Sequence, residues 1–66
     1  MRSPTQNLLI EIRSFLKETG MAPTAFGNHS LGDPNLVRDL MEGRELRHLN
    51  FLRVKTFMEM HQRERA

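Results

Sequence analysis

Three polar side chains with distinct hydrogen-bonding chemistry lie close together near the middle of the chain: Asn35, Arg38 and Asp39. An amide can pair with adenine N6 and N7, a guanidinium with guanine O6 and N7, and a carboxylate can accept from cytosine N4. Residues spaced by three or four positions share one side of a helix. These three residues are therefore candidates for contacting base edges in the major groove of DNA.

The stretch over residues 33–44 predicts the short helix that would carry them. Asp33 suits the N-cap, and Pro34 suits the first helical position because its missing N–H would be unpaired there. Gly43 can adopt the left-handed conformation that ends a helix. The apolar residues at helical spacing form the opposite, anchoring face: Val37, Leu40 and Met41. We expect a helix over 33–42 with one anchoring face and one presenting face.

A second short helix is predicted just before it, over residues 23–30. Pro23 suits its first position, Phe26 is its inward anchor, and Gly27 is small enough to let the following helix pack close. A tight turn containing Gly32 joins the two helices. Two short helices joined by such a turn are the helix-turn-helix pattern.

This pattern resembles the Cro and lambda-repressor-like (XRE) family of bacterial and phage regulators. The matching residues are at its inward, turn and closing positions: Phe26, Gly27, Gly32, Asp33, Val37, Leu40, Gly43 and Arg44. The chain departs from the family at Leu31, where glycine is usual, and at Ser30, where an apolar residue is usual. The resemblance implies a homodimer that binds a near-palindromic operator in double-stranded DNA.

The resemblance also implies residues that contact phosphate. In the family, the first of the two helices points its N-terminal end at a DNA phosphate, which makes Thr24 a candidate contact. The loop after the second helix runs beside the DNA backbone, so Arg44 and Arg47 are candidates too. Such contacts add affinity without distinguishing sequences.

The first helix of the chain has clear signals at both ends. Ser3 and Gln6 predict a capping box with Pro4 at the first helical position, and Gly20 ends the helix. Its inward residues repeat at helical spacing: Leu8, Leu9, Ile12, Phe15, Leu16 and Thr19. We expect this helix to cover the back of the helix-turn-helix and to supply most of the core.

The last helix is predicted to start after Asn50 as its N-cap, with Leu49 and Val54 forming a hydrophobic staple and Leu46 and Leu49 anchoring the loop. One arc of apolar residues closes the core: Phe51, Val54, Phe57, Met58 and His61. Leu52 and Met60 lie outside that arc, with Phe57 at its border. These residues, Leu52, Phe57 and Met60, are candidate dimer contacts or ordinary exposed apolar residues. Residues 63–66 are expected to fray.

Composition limits the other classes of function. The chain has 66 residues, no cysteine and a formal net charge of +2, so we expect one small domain over 1–66 without disulfides. The three histidines, His29, His48 and His61, are far apart, and catalytic motifs are lacking. We therefore expect no metal, no cofactor and no enzyme activity. The apolar run at 8–10 is too short to span a membrane, which favours a cytoplasmic protein.

The sequence thus predicts a compact all-α domain of four to five helices, lambda-repressor-like, with its helix-turn-helix at about 23–43. The predicted function is a sequence-specific transcription regulator, a small dimeric repressor or autorepressor of a phage or other mobile element. It would be bacterial or phage-encoded, associated with the nucleoid, and controlled by its concentration or by a protein antagonist.

Two alternatives stay open. One is an excisionase-like factor or an antitoxin that binds DNA for another purpose. The other is a helical protein-protein interaction module without DNA binding. Salt dependence separates the two classes, because phosphate contacts make affinity fall steeply with salt and an apolar protein interface does not.

Overall fold

The computed structural model describes residues 3–65, which form four α-helices. These are α1 (Pro4–Thr19), α2 (Pro23–Leu31), α3 (Leu36–Met41) and α4 (His48–Arg65). The Cα radius of gyration is 11.1 Å, close to the value of about 10.8 Å expected for a compact chain of this length. The prediction of a compact all-α protein is confirmed over the described residues, with four helices where four to five were predicted.

The signals at both ends of α1 are confirmed. The Gln6 backbone N–H donates to Ser3 Oγ at 3.1 Å, and the Ser3 N–H donates to the Gln6 side-chain oxygen at 3.0 Å. Gly20 ends the helix in the left-handed region at φ 72°. The predicted inward face is buried or half-buried: Leu8, Leu9, Ile12, Phe15, Leu16 and Thr19. Local sequence is sufficient here because each cap is completed within one helical turn.

Helix α2 is one residue longer than predicted, and it ends at Gly32 with φ 69°. The Gly32 N–H donates to the Asn28 carbonyl at 2.9 Å. Ser30 is buried although its side chain is polar. Its hydroxyl donates to the Phe26 carbonyl at 2.8 Å, so the buried polar group is satisfied.

Helix α3 begins at Leu36, and the predicted start at Asp33 and Pro34 is wrong. The Asp33 carboxylate accepts from the Asn35 N–H at 3.0 Å, and the Asp33 carbonyl accepts from the Leu36 N–H at 3.2 Å. Asp33 therefore forms a turn with its own following residues and is not the N-cap. Gly43 has φ 107°, so the left-handed residue predicted after α3 is confirmed.

The shorter α3 anchors itself through a different set of residues. Leu36 is fully buried, together with the predicted Val37 and Leu40. Met41 was predicted to face inward, but it is 61% exposed. At 3.6 residues per turn, Leu36, Leu40 and Val37 share one side of α3, and Met41 lies beyond the edge of that side.

Helix α4 begins at His48, three residues before the predicted start at Phe51, so the prediction of Asn50 as its N-cap is wrong. The Phe51 N–H already donates to the Arg47 carbonyl at 2.9 Å. Leu49 thus lies on the first turn and is 69% exposed, so the predicted staple with Val54 and the role of Leu49 as a loop anchor are wrong. Leu46 is half-buried against the core, as predicted.

The far end of α4 also differs from expectation. The helix continues through Arg65, where a frayed tail from residue 63 was predicted. Ala66, the last residue of that predicted tail, lies outside the described residues. The inward arc of α4 is confirmed, because Val54 and Met58 are buried and the other members are half-buried.

Three phenylalanines hold the helices together at the centre of the core. The Phe26 ring lies edge to face against Phe15, with centroids 5.5 Å apart, and against Phe57, with centroids 5.4 Å apart. Each ring comes from a different helix, so the contacts join α2 to both α1 and α4. The loop after α3 is fixed to α1 by the Leu46 N–H, which donates to Thr5 Oγ1 at 3.2 Å. Helices α2 and α3 therefore pack against α1 and α4.

Candidate nucleic-acid interface

Helices α2 and α3 are joined by a turn that packs directly on Gly27. A Cβ built on Gly27 would lie 2.1 Å from the Asp33 carbonyl oxygen and 3.2 Å from Leu36 Cβ. The Asp33 N–H donates to the Gly27 carbonyl at 3.1 Å. The close approach predicted at Gly27 is confirmed, and it fixes where α3 starts relative to α2.

Two of the three candidate base-contacting residues are exposed beside each other on α3. Asn35 is its N-cap residue and Arg38 lies one turn later. Within residues 3–64, neither side chain has a hydrogen bond or a salt bridge to another residue. Among the same residues, Arg38 also forms no salt bridge with Glu42, although their i,i+4 spacing would allow one. The amide and the guanidinium are thus available to an external partner.

The third candidate, Asp39, takes part in an ion cluster that the sequence did not predict. Arg44 Nη1 lies 2.6 Å from Asp33 Oδ2 and 3.4 Å from Asp39 Oδ2. We call these residues, Arg44, Asp33 and Asp39, the Arg44 bridge. All three side chains are about one-third exposed. Arg44 was predicted to contact phosphate, and the structure places its guanidinium between the two carboxylates.

The bridge shifts the acid-base properties of its members in the directions that an ion pair requires. The hydrogen bond from Arg44 lowers the pKa of Asp33 below its ordinary value of 3.8, and the Asn35 N–H lowers it further. The hydrogen bond to Asp33 raises the pKa of Arg44. Both shifts favour the charged forms.

This arrangement predicts an acid-sensitive contribution to stability. Because the pKa of Asp33 is lower in the folded chain, its contribution is complete above pH 3.8 and is lost as the pH falls through the folded value. Asp33→Asn keeps the oxygen that accepts from the Asn35 N–H but lacks this titration. The melting temperatures of parent and variant, measured from pH 6 to pH 2, should converge below pH 3.8. A constant difference across that range would contradict this role of Asp33.

The other two residues predicted to contact phosphate, Thr24 and Arg47, are exposed, and each lies next to the start of a helix. Thr24 follows Pro23 at the start of α2, where the first internal hydrogen bond is the one from the Phe26 N–H to the Ala22 carbonyl at 3.0 Å. The N–H groups of Thr24 and Ala25 precede that bond, so they are the donors that a helix leaves for an external acceptor. Arg47 is exposed immediately before α4.

The three residues predicted as dimer contacts, Leu52, Phe57 and Met60, lie together on α4. Leu52 is 45% exposed and Met60 is 56% exposed, and with half-buried Phe57 they line one shallow groove. The groove also includes Arg53 and Thr56. The imidazole of His29 stacks beside it on Phe57, with ring centroids 6.3 Å apart.

One feature of the site had a sequence signal that pointed to the observed geometry. An Asp-Pro pair favours the start of a turn, and here Asp33-Pro34 begins the turn between α2 and α3. That signal competed with the helix-capping signal of the same two residues. The pairing of Asp33 with Arg44, eleven residues away, had no local signal.

Over the part of the chain that the structure describes, no helix is long and apolar enough to cross a membrane, and no group of three or more acidic or histidine side chains is placed to hold a metal ion. Compared with protein-family models, curated proteins and solved structures, the chain gives no match.

Proposed function

We propose that α2, the turn and α3 form a helix-turn-helix of the lambda-repressor type, and that the chain binds double-stranded DNA sequence-specifically. The observation that carries the proposal is the packing of the turn on Gly27, which leaves Asn35 and Arg38 exposed together on the outer side of α3. In this arrangement α3 enters the major groove. Arg38 then pairs with guanine and Asn35 with adenine.

The length of α3 supports binding as a homodimer. Six residues give a helix about 9 Å long, which covers about three base pairs at 3.4 Å each. A pair of bidentate contacts supplies roughly 2–6 kcal/mol of discrimination, at the low end of the 4–10 kcal/mol typical of specific DNA binding. A second copy on a near-palindromic operator doubles the number of contacts.

In such a dimer, two recognition helices on successive half-sites lie about 34 Å apart. We assign the contact between copies to the groove with Leu52, Phe57 and Met60, since these apolar side chains lie together and exposed apolar patches mark interaction sites. Methionine adapts well to such an interface.

Phosphate contacts come from the flanks of α3 in this proposal. Thr24 and the first free N–H groups of α2 bind one phosphate, and Arg47 contacts another from the loop before α4. Arg47→Ala should weaken binding to all duplexes alike and lower the salt slope, d log K against d log [salt], by about one unit. Titrations at four salt concentrations measure the slope. Arg13→Ala, an exposed change on α1, serves as the matched control, and an equal slope for parent and Arg47→Ala would remove Arg47 from the interface.

The biological role that fits these features is repression by occupying a promoter. We propose a small dimeric repressor or autorepressor of a phage or mobile element, located on the bacterial nucleoid. Release would follow from dilution or from a protein antagonist. An excisionase-like or antitoxin role uses the same DNA contacts for a different outcome.

The direct test is a mobility shift on DNA from upstream of the protein's own gene, with random duplex as competitor at near-physiological salt. A discrete complex that resists random competitor supports a sequence-specific regulator. Binding that random DNA removes equally well contradicts it and favours an architectural role.

A second candidate function rests on the apolar residues exposed along α4. Leu49, Leu52 and Met60 are more exposed than large apolar side chains usually are. A helical module that binds another protein through them would show weak salt dependence. The absence of any DNA complex at low salt would favour this module.

A further inference from the structure

Arg44 connects the two ends of α3 through its side chain and its backbone. Its guanidinium reaches Asp33 before the helix and Asp39 within it, at 2.6 Å and 3.4 Å. Its backbone N–H donates to the Asp39 carbonyl at 2.9 Å. Helix α3 needs such support, because it has six residues and its N-cap, Asn35, makes no side-chain capping hydrogen bond.

The Arg44 bridge also reduces the negative charge on the presenting face, the side of α3 near Asn35 and Arg38. Asp33, Asp39 and Glu42 place three carboxylates around α3, and carboxylates near DNA phosphates weaken binding. The guanidinium of Arg44 contacts two of them and offsets part of their charge. If Arg44 turned to a phosphate instead, both carboxylates would face the DNA without a counter-ion.

We propose that Arg44 is a positioning residue of the DNA-binding surface, which acts through Asp33 and Asp39 and not through a phosphate. It holds the turn and the end of α3 in one geometry, and it compensates the acidic charge beside Asn35 and Arg38. This inference rests on the proposed DNA binding. The inference gives Arg44 and Arg47 different roles, although both lie in the short loop between α3 and α4.

A double-mutant cycle distinguishes the two roles. Arg44→Ala is introduced into the parent and into an Asp33→Asn, Asp39→Asn background, and the affinity of each protein for the operator is measured by titration. The Asp33→Asn change keeps a side-chain oxygen that can accept from the Asn35 N–H, so the turn is preserved. Arg47→Ala in both backgrounds is the matched control, and circular dichroism verifies folding of every variant.

We expect Arg44→Ala to weaken operator binding about fivefold in the parent and less than twofold in the neutralised background, since coupled residues do not act additively. Arg47→Ala should weaken binding equally in both. An equal loss from Arg44→Ala in the two backgrounds would show a direct phosphate contact and overturn the proposal.

A second measurement decides the point without DNA. Amide hydrogen exchange of α3 in the free protein should be about fivefold faster in Arg44→Ala than in the parent, and no faster in Arg47→Ala. Unchanged exchange in Arg44→Ala overturns the proposal whatever the DNA result. If the parent binds no specific DNA while exchange rises as expected, the proposed function fails and the structural bridge stands.

Discussion

Gly27→Ala is expected to lower the free energy of unfolding by about 3 kcal/mol, the upper end of the usual cost of overpacking. The added methyl group would lie 2.1 Å from the Asp33 carbonyl oxygen, which is a backbone atom and cannot rotate away. Relief requires α3 and its turn to move off α2. A domain of this size has a total stability of about 3–10 kcal/mol, so much of it would be lost.

The sign of this effect makes the test sharp. Alanine is favoured over glycine within a helix by about 1 kcal/mol, so helix propensity alone predicts a more stable protein. Thermal unfolding should instead show a melting temperature lower by about 12–24 °C. Asn28→Ala, an exposed change at the next residue, is the control and should stay within about 0.5 kcal/mol. A Gly27→Ala protein as stable as the parent would contradict the close packing of α2 and the turn.

Arg38→Ala is expected to cost roughly 1–3 kcal/mol of operator binding for each half-site. The guanidinium is exposed on α3 and, within residues 3–64, forms no salt bridge, so its removal leaves the fold intact. The loss should be confined to sequence recognition. Affinity for random duplex should fall much less, in proportion to one lost charge.

Competition against a panel of operators, each changed at one base pair, measures this difference. The parent should discriminate at the position that Arg38 contacts, and Arg38→Ala should bind all four bases there about equally. Lys17→Ala, which removes an exposed charge from α1, is the matched control. Unchanged discrimination at every position would show that α3 does not present Arg38 to the bases.

The ends of α1 and the start of α2 were predictable because their signals are local. Ser3, Gln6 and Gly20 satisfy backbone groups within one turn of themselves, so the sequence carries the whole interaction. The steric role of Gly27 was predictable for a related reason, since a missing side chain between two short helices has few other uses. The all-α architecture follows from these elements and from the inward repeats of α1 and α4.

The start of α3 was not predictable to the same degree, because two local rules compete at Asp33. Its carboxylate can cap a helix or close a turn on Asn35, and contact with Arg44 favours the second geometry. That contact depends on the folded chain. The burial of Leu36 and the exposure of Met41 follow from it, since six residues are too few for periodicity to set the inward face.

The candidate site shows the same difference between residues that local sequence predicts and residues whose contacts form only in the folded chain. Asn35 and Arg38 were predicted as base-contacting residues from residue type, spacing and the helix-turn-helix resemblance, and both side chains are exposed, at the N-cap and on the first turn of α3. The assignment of Asp39 and Arg44 needed the distances between them. Side chains that meet across a turn change each other's availability, and sequence spacing does not reveal this.

The most direct test of α3 as the recognition helix maps the surface that DNA covers on the protein. The measurement is a titration of the ¹⁵N-labelled protein with its operator duplex, followed by amide chemical-shift changes. We expect the largest changes at the start of α2 around Thr24, along α3 from Asn35 to Asp39, and at Arg47. Changes confined to α1, or to the exposed face of α4, with α3 unaffected, would contradict the proposal that α3 is the recognition helix.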